Sequence, residues 1–325
     1  MTPFTAESSL SLAALGEVRL LECIRRWLGS VSAPSPRGMG DDCAVLPANP
    51  LRGARLVTTD SVIWGRHFDG AVSAWAAGAK LVKRNLSDVA AMGGVPTDAV
   101  LSLVCGSDVA VAWLEAFFGG VADECRAFDM ELAGGDVAEA HAGFFCATLA
   151  LTGFAENPVL RSGARVGDSL LVTGFLGGSL AGKHLTFTPR LREGRWVATR
   201  PEIRAGMDLS DGLAKDIPAL LPLGCDALLE MERVPVSVEA RLSAGGDAMR
   251  ALNRAMGDGE DYELLLAADT PSLPLLLDAW EREFPALPLT PIGRVVPARD
   301  GEGGHLVCTM GGRVLETNFG GYAHF

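Results

Sequence analysis

Apolar residues recur at helical spacing in three early stretches of the chain. Leu15, Val18, Leu20, Leu21, Ile24 and Trp27 alternate with charged residues and predict an amphipathic first helix ending near Gly29. Trp75, Ala79, Val82, Leu86 and Val89 step by four and three, which predicts a second helix closing at Gly93-Gly94. Leu114, Phe117, Phe118, Val121 and Cys125 share one side of a third, over residues 113–126. Short apolar or β-branched runs predict strands at 55–60, 99–105, 143–151, 169–173, 227–230, 263–267, 290–295 and 306–309. Further helices are expected at 180–185, 213–221 and 271–284. Residues 30–40, rich in Pro, Gly and Ser, read as a linker, and Asn157-Pro158 as a boundary. The pattern is α+β in two halves, with expected domains at 1–156 and 157–325.

Composition narrows the classes. The chain has 325 residues, 48% hydrophobic and 21% charged, which fits a globular protein with a substantial core. Its net charge of −12 and the lack of a dense Lys/Arg run argue against nucleic-acid binding. The longest stretch without Asp, Glu, Lys or Arg is 140–155, too short to span a bilayer. Charges at 17, 19, 22, 25 and 26 break up any signal-peptide pattern. Seven widely spaced cysteines with no CxxC predict reduced, buried thiols in a cytoplasmic protein.

The chemistry-bearing residues are acids beside Gly, Ser and Thr. They lie in GDDCAVL (40–46), TTDS (58–61), NLSDVAAMGG (85–94), GGD (134–136), MDLSDGL (207–213) and GDGEDYELL (257–265). Taken singly, such acids are usually turn or cap residues. Taken together, Asp42, Asp60, Asp88, Asp136, Asp208 and Asp211 would form a cleft that needs counter-charge. Hard divalent cations bridging to phosphates would supply it. Asp88 sits late in a predicted helix, against the dipole, one turn after Asn85. Residues 177–184 read GGSLAGKH, close to a P-loop, but His184 stands where the metal-binding hydroxyl belongs. A Gly turn opening a helix is the expected structure there. The five histidines fall in no nucleophile or zinc motif.

The order and spacing of these segments resemble the thiamine-monophosphate kinases of the aminoimidazole-ribonucleotide-synthetase-like superfamily. The resemblance spans the chain from Gly16-Glu17 to the terminal GYAHF and includes TTDSVIWGRHF (58–68) and RSGARVGDSLLVTG (161–174). It implies ATP-dependent phosphorylation of thiamine monophosphate to thiamine diphosphate, with several Mg2+ ions and no acid/base residue. It implies a two-domain PurM-like α+β fold: a β-rich N-terminal domain that dimerises through a shared barrel-like interface and carries the metal and ATP site, and a C-terminal α/β domain. Asp42, Thr58, Thr59, Asp60, Asp88, Asp136, Asp208 and Asp211 match the family's metal ligands, Asp60 and Asp136 being the most critical. Gly135, Asp136, Arg161 and Ser210 match nucleotide contacts; His67, Glu260, Phe319 and Tyr322 match the thiamine-phosphate side.

Three departures stand out. Val137 follows GGD where Thr is frequent, Lys83-Arg84 is unusually basic, and Asp258 replaces a usual Gly, adding charge near the expected substrate pocket. Sibling activities fit less well. Cys23 lies within a helix rather than in a Gly-rich N-terminal segment, as a selenophosphate synthetase would require, and the chain ends Ala323-His324-Phe325 without the cysteine of a hydrogenase maturation factor. A non-catalytic cation or nucleotide sensor would leave ATP intact.

Overall fold

The computed structural model describes residues 2–15, 17–32, 53–298, 301–315 and 319. Asp42, Tyr322 and the terminal GYAHF segment lie outside them. The elements run α1 (Leu12–Leu15), α2 (Glu17–Leu28), β1 (Ala54–Ile63), α3 (Ala74–Ala91), β2 (Val95–Gly106), α4 (Val111–Ala127), β3 (Glu131–Ala140) and β4 (Phe145–Ala155). They continue with β5 (Ser169–Thr173), α5 (Lys183–Thr186), α6 (Leu191–Val197), β6 (Ile203–Asp208), α7 (Leu213–Asp216), β7 (Cys225–Glu230), α8 (Val238–Ser243) and α9 (Ala248–Gly257). The last are β8 (Leu264–Ala268), α10 (Leu273–Glu283), β9 (Leu289–Pro297), β10 (Leu306–Met310) and β11 (Arg313–Val314). The chain forms two compact units: Met1–Val89 with Gly94–Glu156, and Ala90–Gly93 with Asn157–Phe325.

The first unit holds a four-stranded sheet in the order β1-β4-β2-β3, antiparallel except for the parallel β2–β3 pair. Helices cover one face. Trp113 and Phe117 of α4 meet the Phe145 ring at 4.9 and 5.2 Å, and Trp75 of α3 donates to Asp123 of α4 at 2.7 Å. Leu20, Ile24 and Leu28 form the buried stripe of α2, and Trp27 stacks on Phe118. The register fixes which way each side chain points. Asp60, Leu149, Leu101 and Gly135 share one row, and Leu149 and Leu101 are core residues. Ser61, Thr148, Ser102 and Asp136 share the next row, on the opposite face, because strand side chains alternate.

The second unit is built on a seven-stranded sheet, β11-β10-β7-β9-β5-β8-β6. Its central strands are buried on both faces: Leu265 and Ala267 enter one core cluster, while Leu264, Leu266 and Ala268 enter another. Continuous apolar runs such as LLLAA follow from this, since neither face meets water.

Thr58–Asp60 lies inside β1, within the strand expected at 55–60, whereas GGD lies inside β3, a strand the pattern does not predict. Gly135 is the reason. A Cβ there would sit 1.9 Å from the Leu101 carbonyl oxygen, so only glycine allows β3 to approach β2 this closely. β6, α6, α8 and α9 were likewise not predicted, and the expected 213–221 helix divides into α7 and a short 3-10 turn. Replacing Gly135 with Ala should cost about 1–3 kcal/mol of stability through overpacking, read as a lower denaturant midpoint with an unchanged slope.

Candidate functional site

In the first unit, β1 and α3 assemble an oxygen-rich corner. The Thr58 hydroxyl donates to Asp88 Oδ2 at 2.5 Å, which ties β1 to the last turn of α3. Asp60, two residues on and on the same face, accepts from Arg84 Nη2 at 3.2 Å, and Arg84 Nη1 donates to the Ser61 carbonyl at 2.9 Å. Arg84 is thus part of the site, which explains the unusual basic pair before Asn85. The other member, Lys83, is buried beside Glu124 at 4.0 Å, and burial lowers its pKa. Asn85 is fully buried and donates to the Leu81 carbonyl at 2.9 Å, while its Oδ1 has no hydrogen-bond partner among the described residues. Thr58 supplies Asp88 with a hydroxyl donor at the unfavourable end of the helix dipole.

Thr59 points to the opposite face of β1 and donates to the Leu149 carbonyl at 3.0 Å. Asp136 is exposed, on that same opposite face and on β3 at the other edge of the sheet. His67 accepts the Ile63 N–H through Nδ1 at 3.0 Å, and its own carbonyl accepts from the buried Lys80 at 3.0 Å. Among the described residues, no three His, Cys, Asp or Glu side chains converge closely enough to hold a metal ion. The donors that do gather, Thr58, Asp60 and Asp88, are all hydroxyl or carboxylate oxygens, the set that suits a hard cation such as Mg2+.

In the second unit, MDLSDGL leaves β6 as a tight turn. Asp208 ends the strand and is buried. The N–H groups of Ser210 and Asp211 both donate to Asp216 Oδ2 at 3.1 Å. Burial pushes the Asp216 carboxyl up to about 6 in spite of those amides. Asp211 pairs with Lys215 at 2.6 Å. The 258–262 turn packs against this one: Glu260 N donates to the Ser210 carbonyl at 2.7 Å, and Tyr262 N to the Leu209 carbonyl at 2.8 Å. Tyr262 stacks on Phe187 at 4.1 Å and donates to Glu260 Oε1 at 3.2 Å. Arg161 is exposed, and Phe319 packs against the core of this unit.

Behind the turn lies a buried charge network that the sequence did not announce. Glu263, 1% exposed, accepts from Arg190 Nε and Nη2 at 2.8 Å each, from Lys183 at 2.9 Å and from Thr173 at 2.8 Å. Burial opposes the Arg190 charge, but the hydrogen bonds and field of Glu263 hold its pKa above the ordinary value. Glu263, Arg190 and Lys183, together with Phe175, Phe284 and Leu287, line a cavity of about 540 Å³. Asp258 lines a surface pocket with Arg250 and Arg254; its carboxylate accepts the Gly178 N–H at 2.8 Å and pairs with Arg254 at 3.5 Å.

Asp261 is 1% exposed, and burial raises its pKa from 3.8 to about 7, against the opposing pull of Lys183. The folded state holds this proton more tightly than the unfolded chain does. The Asp261 contribution to stability therefore falls as pH rises from about 4 to about 7 and is constant above that. Asp261→Asn, which keeps an oxygen for the Gly177 N–H, should gain thermal stability relative to the wild type across that window. Melting temperatures between pH 4 and pH 8 check this; a constant difference would refute it.

Residues 40–155 match the family model described as AIR synthase related protein, N-terminal domain. Curated thiamine-monophosphate kinases are similar over most of their length. The Rhodopirellula baltica protein is 31% identical over 80% of this chain and 83% of its own. The Aquifex aeolicus protein is 31% identical over 90% and 95%, and the Escherichia coli protein 34% over 70% and 74%. Among solved structures, AaThiL complexed with AMPPCP and TMP superposes with a TM-score of 0.71 at 30% identity, covering 96% of this chain and 98% of that one. A hydrogenase maturation protein in complex with ATP shares the fold at 16% identity, with a TM-score of 0.73 over 95% and 98%. Given identities above 30% across nearly whole chains, this protein belongs to the thiamine-monophosphate kinase family.

Proposed function

We propose that this chain transfers the γ-phosphoryl group of ATP to thiamine monophosphate, giving thiamine diphosphate. The observation that carries this reading is the near full-length match to the curated kinases and to the complex with an ATP analogue and TMP. The acceptor is a phosphate monoester oxygen, already ionised near neutral pH with a second pKa of about 6, so no strong general base is needed. The chain's task is to hold anionic groups together in line.

Thr58, Thr59, Asp60, Asp88 and Asp136 of the first unit, with Asp208 and Asp211 of the second, would hold Mg2+; Asp42 belongs to the same set by its motif. Bound Mg2+ supplies charge neutralisation and alignment of the phosphate oxygens. Gly135, Arg161 and Ser210 contact the nucleotide, and the Arg161 guanidinium can fork onto phosphate oxygens. His67, Glu260, Phe319 and Tyr322 bind the thiamine phosphate: Glu260 pairs with its amino or cationic groups, and the aromatic rings cover the cationic heterocycle.

The functional unit is a homodimer in this reading. Asp60 and Asp136 lie on opposite faces and on opposite edge strands, separated by three strand spacings, or roughly 14 Å. One copy cannot bring both to the same phosphate. The face that carries Asp136 also exposes Val57 and Val100, at 70% and 42%, an apolar surface suited to a second copy. This reading assigns Asp60 of one copy and Asp136 of the other to one shared site. The cytoplasm is the compartment this reading favours. The six described cysteines are free, and burial pushes the thiols of Cys105 and Cys125 up to about 11 and about 12. Among the described residues, no helix is long and apolar enough to cross a membrane.

Purified protein given ATP, Mg2+ and thiamine monophosphate should form thiamine diphosphate, detected by chromatography. EDTA should abolish the product, and unphosphorylated thiamine serves as the acceptor control. Asp60→Asn and Asp136→Asn should each lower turnover at least a hundredfold with the melting temperature kept, as loss of a preorganised electrostatic group typically does. Mixed dimers of the two variants should regain about a quarter of wild-type activity, since half the dimers are mixed and each then holds one intact site. No recovery on mixing would overturn the shared site.

A further inference from the structure

The GGSLAGKH segment resembles a phosphate-binding loop, yet its first two amides are already occupied. Gly177 and Gly178 are both left-handed, with φ of 80° and 70°, and this turn aims their successive N–H groups at carboxylates, as an anion-binding nest does. The Gly177 N–H donates to both Asp261 oxygens, at 2.9 and 3.1 Å, and the Gly178 N–H to Asp258 Oδ2 at 2.8 Å. Ser179 Oγ donates to the Gly259 carbonyl, between the two acids. The nest cannot move away from its partners. A Cβ at Gly177 would lie 2.5 Å from Ala255 N, and one at Gly178 2.5 Å from Ala240 N, so α9 and α8 press against it. Ser237 Oγ adds a 2.5 Å bond to the Gly177 carbonyl.

The gripped segment is conformationally unusual. Glu260 and Tyr262 are non-glycine residues with φ of 54° and 51°. Such residues persist in this region only where the surroundings over-determine them. Here Asp258 and Asp261 flank Glu260 and are held from one side, and the Leu209–Ser210 turn accepts the Glu260 and Tyr262 amides from the other.

We propose that Asp258 and Asp261 are positioning residues. Each plugs an amide of the Gly177–Gly178 nest, and together they hold Glu260 in the left-handed conformation that presents its carboxylate to the amino or cationic part of thiamine monophosphate. The nest is thus an anion cradle filled by the chain's own carboxylates and takes no substrate phosphate. This role rests on the reading of Glu260 as a substrate contact. Asp258 gives this chain a second plug.

Steady-state kinetics on the full chain test the proposal, with melting temperatures as the folding control. Asp258→Ala should raise KM for thiamine monophosphate about tenfold, the loss expected for a hydrogen bond to a charged group, while KM for ATP and kcat change less than twofold. Asp258→Asn keeps an acceptor for the Gly178 N–H and should stay within twofold of wild type. Glu260→Gln should raise the same KM, and adding Asp258→Ala to it should add little, because one change acts through the other. Amide hydrogen exchange at Gly178 should speed up in Asp258→Ala and not in Asp258→Asn. If Asp258→Ala does not fold, Ser179→Ala serves in its place with the same expected KM split. An unchanged KM, an equal rise in Asp258→Asn, or full additivity with Glu260→Gln overturns the positioning role, even where the exchange result shows the bond is real. A wild-type chain that makes no thiamine diphosphate overturns the functional reading itself and this role with it.

Discussion

The second unit is organised around one buried carboxylate. Taking Glu263 out of water costs several kcal/mol unless the charge is matched and its lone pairs filled. Arg190 matches it with a two-pronged fork, Lys183 adds a second positive charge, and Thr173 completes the acceptor sites. Thr173 in turn accepts the Leu264 N–H, so the end of β5 and the start of β8 are linked through the same side chains. Glu263 also accepts from Leu209 through its carbonyl, which sets the strand end that carries Asp208. A single ionic requirement thereby fixes where the loops at this end of the sheet begin. The 258–262 turn, with Glu260 at its tip, inherits its position from that anchor.

The first unit depends on a simpler constraint, the pleat of its sheet. Thr58 and Asp60 face the helices because the buried Leu56 and Val62 face them too, and the period of two permits nothing else. Thr59 and Asp136 then face the other way. The neighbours in TTD therefore cannot all serve one centre within one copy, even though they are adjacent in sequence. Arg84 pairs with Asp60 at the edge of the core, and Thr58 donates to Asp88 at the unfavourable end of its helix dipole.

Much of this was legible from pattern alone. The helix containing Asp88 followed from apolar spacing, and most central strands followed from short apolar runs between turn residues. Failures cluster where local signals mislead. Two glycines in GGD look like a turn, but Gly135 is there because a backbone carbonyl occupies the space of a Cβ. In GGSLAGKH the expected Gly turn is present, but nothing local shows that its first two amides bind Asp261 and Asp258 from some eighty residues further along the chain. Arg190 and Lys183 carry no local signature, since an Arg or Lys in a loop is ordinarily solvated. Asp216 gave none either: its role as acceptor for the 210–211 amides appears only when the turn closes.

The sequence by itself determined the family, the α+β class, the order of the acidic motifs and the hard-oxygen character of the chemistry, because residue type and periodicity are local properties. Tertiary structure decided which acids are available and which are consumed. Asp258, Asp261 and Glu263 sit in the same motif as Glu260, yet the first three are saturated by amides and cations brought from distant loops. Tertiary structure also decided that Asp60 and Asp136 belong to opposite faces and edges. Strand order and register are long-range pairings, and no stretch of residues encodes them until the sheet has formed.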